Sequence, residues 1–140
     1  MPKICIDAGV LGIHFSKNPT KEVIQLMDAI LKKEIQAFIM KPILIESYYH
    51  LCNIKGIEIA KIVITSFLKK YPVNLESIDE SLIFSAGKLK CQNRKILSYN
   101  DCLCIAFCLN NKVELHTTEI NLQNIPNNTL KRLKIQKYSF

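Results

Sequence analysis

Short apolar stretches separated by segments of helical length constrain this chain more than any other feature: KICIDA (3–8), IQAFIM (35–40) and VELHTT (113–118) are the clearest. Parallel strands need a crossover of a dozen or more residues, and strands covered on both faces read as near-continuous hydrophobic runs. The alternation therefore predicts an α/β fold, a mainly parallel central sheet with helices on both faces.

The segments between carry helix signals. Residues 18–34 have Thr20 as N-cap and Val23, Ile24, Met27, Ile30 and Leu31 on one face. Pro42 suits the first turn of a helix over 42–54, Gly56 separates it from a second over 57–71, and Pro72 stops the second. A short strand is predicted at 73–75, and Ser77 opens a helix over 78–90. Ser98 and Asp101 have the spacing of a capping box for a helix ending at Asn110 or Asn111, and residues 133–140 supply the last strand. The first strand is expected to turn at Gly9. With no linker, repeat or low-complexity segment, residues 1–140 read as one domain.

Composition excludes several classes. Hydrophobic residues are 49% and charged residues 22%, enough for a core, and no apolar run approaches the roughly 18 residues of a membrane span. No basic segment leads into an apolar one at the N-terminus, which predicts a cytoplasmic protein with no membrane contact. The six cysteines form no C-x-x-C pair. Cys104 and Cys108 share a helix face without a nearby histidine, so buried thiols are expected rather than a metal site or disulfides. His14, His50 and His116 lack metal-pair spacing and are assigned no role.

Asp7 ends the first strand and Glu119 follows the late one, and ligands gather outside the carboxyl ends of strands in open α/β sheets. Glu46 and Asp101 lie in the first turns of helices that should point at the same edge. Asp101 alone is explained as a cap and Glu46 alone as a solvated carboxylate; the four together call for a common cause. Hard divalent cations want carboxylate oxygens, and Mg2+ or Mn2+ there would suit phosphodiester hydrolysis. The net charge is +7, with Lys88, Lys90, Arg94 and Lys95 clustered, as are Lys131, Arg132, Lys134 and Lys137, the footprint of a polyanion partner. Tyr48, Tyr49 and Tyr99 stand near two of the acids, where they pack or stack on bases, and Asp79 or Glu80 is a candidate fifth acid.

In order and separation, ICIDAGVL, ILIESYYHL, LSYNDCLCIAFCL and LHTTEINL resemble the PIN domain over about residues 3 to 122. The resemblance implies a three-layer α/β/α sandwich that cuts RNA with Mg2+ or Mn2+, either a VapC-type toxin with an antitoxin protein or an RNA-processing endonuclease. It also implies site roles: Asp7, Glu46, Asp101 and Glu119 as the metal-binding acids, Thr117 as the supporting hydroxyl, and Asp7 and Asp101 as the main direct ligands. Two positions depart from the family. It usually has Asn, Ser or Thr where this chain has Gly9, and aspartate where this chain has Glu119. These departures support a second expectation, a catalytically impaired RNA-binding or interaction module. A third is a scaffold without a nucleic-acid role. The apolar segments 42–51 and 57–68 suggest a homodimer face, unless both are wholly core.

Overall fold

Lys3–Ile6 form β1, and three of its four side chains are buried, as a strand covered on both faces requires. The computed structural model describes the backbone of all 140 residues and the side chains of all but Gln123, Asn127 and Leu130. β2 (Gln36–Met40), β3 (Asn74–Glu76), β4 (Glu114–Thr117) and β5 (Ile135–Lys137) join β1 in a parallel sheet of order β3-β2-β1-β4-β5. From β1 the chain builds outward on one side through β2 and β3, then returns to the other side for β4 and β5. The reversal falls between β1 and β4, and a crevice opens at such a point.

The helices are α1 (Ala8–His14), α2 (Lys21–Leu31), α3 (Lys41–Lys55), α4 (Ile57–Lys70), α5 (Glu80–Gln92), α6 (Tyr99–Asn111) and α7 (Asn127–Arg132). They cover both faces of the sheet, making the three-layer α/β/α sandwich: α1 packs against both α2 and α3, α3 pairs with α4, and α5 pairs with α6, which lies on β1 and β4. The signals act where they stand. Thr20 accepts from the Val23 N–H, Pro42 sits in the first turn of α3, and Gly56 takes φ +88° between α3 and α4, a backbone that side-chain-bearing residues rarely adopt. No described helix is long and apolar enough to cross a membrane.

Helix α6 is buried at every position from Cys102 to Cys108. Such a helix needs small side chains where it meets the sheet, and Cys104 and Cys108 face Cys5 of β1 there. Their mutual hydrogen bonding and burial push the Cys104 and Cys108 thiols above the ordinary range, so both stay neutral. Cys52 is half-buried and Cys91 exposed, so neither belongs to this core.

Three boundaries differ from the sequence reading. Asp79, not Ser77, caps α5, accepting from the Leu82 N–H at 2.8 Å, which accounts for that acid without a role at the site. The last strand is confined to Ile135–Lys137, and the stretch before it forms a 3-10 turn (Asn121–Asn124) and α7. The chain does not turn at Gly9; α1 begins directly after Asp7, and Gly9 lies in its first turn. Glycine is required there by close approach: a Cβ at position 9 would overlap the Thr118 hydroxyl and lie 2.9 Å from Thr118 Cβ. Gly9→Ala should therefore destabilise by about 1–3 kcal/mol in urea titration, although alanine favours helix by about 1 kcal/mol. With Thr118→Gly added, the total loss should be smaller than the sum of the two single losses.

Candidate active site

Asp7 is the N-cap of α1. Its Oδ1 accepts from the Ala8 N–H at 2.7 Å and its Oδ2 from the Thr117 hydroxyl at 2.8 Å. The Asp7 N–H donates to the His116 carbonyl at 3.0 Å, extending the β1–β4 ladder by one step. The side chain is therefore fixed at the point where the sheet reverses, and it is 8% exposed. Burial, then the charges of Asp101 and Glu46, push its carboxyl up from the ordinary 3.8 to about 7, against hydrogen bonds from Thr117 and Ala8 that favour the anion.

Asp101 closes the capping box of α6: its N–H donates to Ser98 Oγ and its Oδ2 accepts from the Ser98 N–H, both at 3.0 Å. Burial raises its carboxyl too, with Glu119 and Glu46 adding to the effect. Glu46, in the second turn of α3, accepts from the Asn100 amide at 2.6 Å and lies 3.6 Å from His50 Nε2. Glu119 follows β4; its N–H donates to Thr117 Oγ1 at 3.0 Å and its Oε1 accepts from the Asn121 N–H at 2.9 Å. Thr117 thus links Asp7 to Glu119 through one hydroxyl. The four acids lie on one edge and share one field.

This donor set suits a hard cation. All four groups offer carboxylate oxygens, and among the described residues no lysine or arginine makes an ion pair with any of them. Their present rotamers are a different matter: no three His, Cys, Asp or Glu side chains among the described residues are gathered closely enough to hold an ion. Asn100 holds Glu46 and the Asn121 N–H holds Glu119, so binding a shared cation would require these two longer arms to swing in. Asn100 has no signal in the sequence beyond its place beside Asp101. Thr118 could have been suspected from Thr117, but its packing on Gly9 depends on the β1–β4 pairing. It also sets a hydroxyl against the first turn of α1, where Gly9 itself offers no side chain.

The basic cluster divides. Lys88 lines a polar cleft of about 460 Å3 between α5, α6 and α7, with Arg132. Lys90 donates to the carbonyls of Arg94 and Leu97, at 3.0 and 2.6 Å, and so closes the α5–α6 loop; Arg94 and Lys95 are exposed on that loop. His116 is buried between Tyr138 and Glu114, at 2.7 and 2.8 Å, and His14 packs against Phe15, Phe67 and Tyr71.

Comparison with known proteins agrees with this architecture. The PIN domain family model matches residues 4–128. VapBC2 from Rickettsia felis, bound to a DNA fragment from their promoter, superposes with a TM-score of 0.76 at 16% identity, over 98% of this chain and 99% of that one. A toxin-antitoxin complex from Klebsiella pneumoniae gives 0.66 at 16% identity, over 98% and 99%. VapC20 of Mycobacterium tuberculosis, a sarcin-ricin loop cleaving toxin, gives 0.64 at 13% identity, over 79% and 85%. Among curated protein sequences none matches significantly.

The raised Asp7 carboxyl has a thermodynamic consequence. Between about pH 4 and 7 the native chain holds a proton on Asp7 that the unfolded chain has lost, so stability falls as pH rises through that window and levels above it. The loss attributable to this group is on the order of 4 kcal/mol. Thermal melts without divalent metal should show it, and Asp7→Asn should flatten the profile and melt higher than wild type at pH 8.

Proposed function

Since the chain belongs to the PIN domain family, we propose that it is a metal-dependent endoribonuclease, a VapC-like toxin or an RNA-processing nuclease. One observation carries this reading: four carboxylates share one field at the sheet's reversal point, and no described lysine or arginine pairs with them. Structural carboxylates usually have partners that neutralise them; a carboxylate made costly by burial, in a cleft with others, is the pattern of a site. The cleaving toxin among the structural relatives is in keeping with it.

In this reading Asp7 and Asp101 hold Mg2+ or Mn2+ directly, with Glu46 and Glu119 reaching it directly or through water. The ion would polarise a phosphodiester and supply a hydroxide-like water for attack. The chain's own contribution is positional. Thr117 fixes the Asp7 carboxylate from one side and the Ala8 N–H fixes it from the other, so its oxygens face the crevice without rotamer freedom. The capping box does the same for Asp101. Lys88, Lys90, Arg94 and Lys95 would supply the positive field for the RNA backbone.

Protein partners follow from the surface. Ile45, Tyr49 and Ile54 of α3 and Ile57, Ile59 and Ile62 of α4 are all at least half exposed, so these helices are not wholly core. Large apolar side chains left exposed on two paired helices are the kind of surface that an interaction covers. We assign it to a second copy of the chain, and an antitoxin is the further partner that the toxin reading implies. The VapBC2 relative and the toxin-antitoxin complex are in keeping with that partner.

The alternative, a PIN-fold module that binds RNA without cutting it, draws on Glu119 and on the ungathered rotamers. Incubation with structured and single-stranded RNA plus Mn2+ separates the two. Cleavage that Asp101→Asn abolishes supports the nuclease; salt-sensitive binding without turnover supports the module. The asparagine can still accept from the Ser98 N–H, so loss of activity would not reflect loss of the cap. Sedimentation should show a dimer, and Ile62→Asp should shift it to monomer without changing the melting profile beyond the loss of assembly.

A further inference from the structure

Beside the acids lies an apolar groove of about 330 Å3, with Leu82 and Leu103 at its base and Ile78, Ile83 and Tyr99 along its walls. Ile83 and Tyr99 are 56% and 78% exposed, an unusual placement for such side chains next to polar ones. Asn100 also lines it, and its amide is the group that holds Glu46; Asp101 is the next residue. The groove is therefore continuous with the acidic edge, not a separate feature.

Two further observations bear on its occupant. Gly87 lines the groove in the middle of α5, where glycine costs about 1 kcal/mol relative to alanine. A Cβ there would meet nothing within 4 Å, so no packing demand explains the glycine; the missing side chain leaves the groove open. A cation stands beside Tyr99: Lys90 Nζ, from the last turn of α5, lies 5.0 Å from the ring centroid, and the loop that follows α5 carries the exposed Arg94 and Lys95.

We propose that this groove is a subsite for one unpaired nucleobase of the RNA, stacked on Tyr99, with its flanking phosphate facing the Lys90 side and the scissile phosphate at the acids. The proposal rests on the nuclease reading and adds a determinant of substrate choice to it. The volume lies at the lower end of the roughly 300–1,000 Å3 of small-ligand pockets, which suits a planar base and not a helix of a protein partner. An apolar side chain of a partner would fill the groove equally well but would gain nothing from a cationic rim. A nucleotide needs both, a π-face for the aromatic ring and a positive charge for its phosphate. Duplex RNA cannot offer a splayed base, so single-stranded segments or loops are the substrates this site selects.

The test is fluorescence anisotropy with a short single-stranded RNA, and with the same RNA carrying a run of abasic sites, in Ca2+ in place of Mn2+. Tyr99→Ala should weaken binding about 5- to 150-fold, the range that base–aromatic stacking is worth, and Tyr99→Phe should restore it. Gly87→Leu, which fills the groove and favours the helix, should weaken binding without lowering the melting temperature. The abasic RNA should bind wild type as weakly as the intact RNA binds Tyr99→Ala. Wild-type binding with no response to Tyr99→Ala, Gly87→Leu or base removal would overturn the subsite and leave the nuclease reading standing. A wild type that neither binds nor cuts RNA would remove both.

Discussion

A carboxylate buried to 8% exposure survives in a fold only where hydrogen bonds fix it, and the Asp7–Thr117 bond does this across the one place where the sheet changes direction. The bond joins the ends of β1 and β4, strands separated by more than a hundred residues in sequence. On the same hydroxyl hangs the Glu119 N–H, so the chain's path after β4 is set by the group that holds Asp7. Asp101 reaches this edge because α6, buried along seven consecutive positions, lies on the same two strands and points its capped end there. Without the β1–β4 pairing, three of the four acids would have no common neighbour.

The energetics of the edge run against the rest of the molecule. Elsewhere the interior is almost wholly apolar, from Ile4 and Ile6 through Ile39 and Met40 to Ile105 and Leu115. At the edge, burial and mutual repulsion raise both aspartates above their ordinary carboxyl range. Glu46 and Glu119 bond instead to the Asn100 amide and to the Asn121 N–H. The two short acids are held by capping geometry and cannot retreat, whereas the two long ones can. That difference in arm length makes a division of labour physically natural, with fixed aspartates and movable glutamates, and it gives Glu119 a reason to be longer than aspartate.

Much of this was legible in the sequence, and the failures are instructive. Ser98 and Asp101 announced the start of α6 because both halves of a capping box are local, and Thr20 and Gly56 acted for the same reason. Asp7, Glu46, Asp101 and Glu119 could be expected on one edge because each stands near an element end, and Thr117 came only from the family resemblance. Helix α1 was hidden because Gly9 and Gly12 weaken a seven-residue segment that only packing makes helical. Ser77 and Asp79 are both good caps, and which one serves is decided by where α5 must start to bury Leu82. The rotamer of Glu46 had no signal at all, since its partner Asn100 is met only in three dimensions, whereas Glu119 turns back on the backbone N–H two residues further along its own loop.

Gly9 shows how a local departure is resolved by a distant residue. Read along the chain, it removes a polar side chain two positions after the first acid. In the fold, Thr118 brings a hydroxyl and a methyl group against that same turn, so the space is filled from β4's exit instead of from α1. Two side chains cannot occupy it together, which ties the identity of residue 9 to that of residue 118 whatever either contributes to chemistry. Glycine at 9 is then no sign of a dismantled site: it follows from packing, and the polarity of the acidic edge must be counted over both segments that build it.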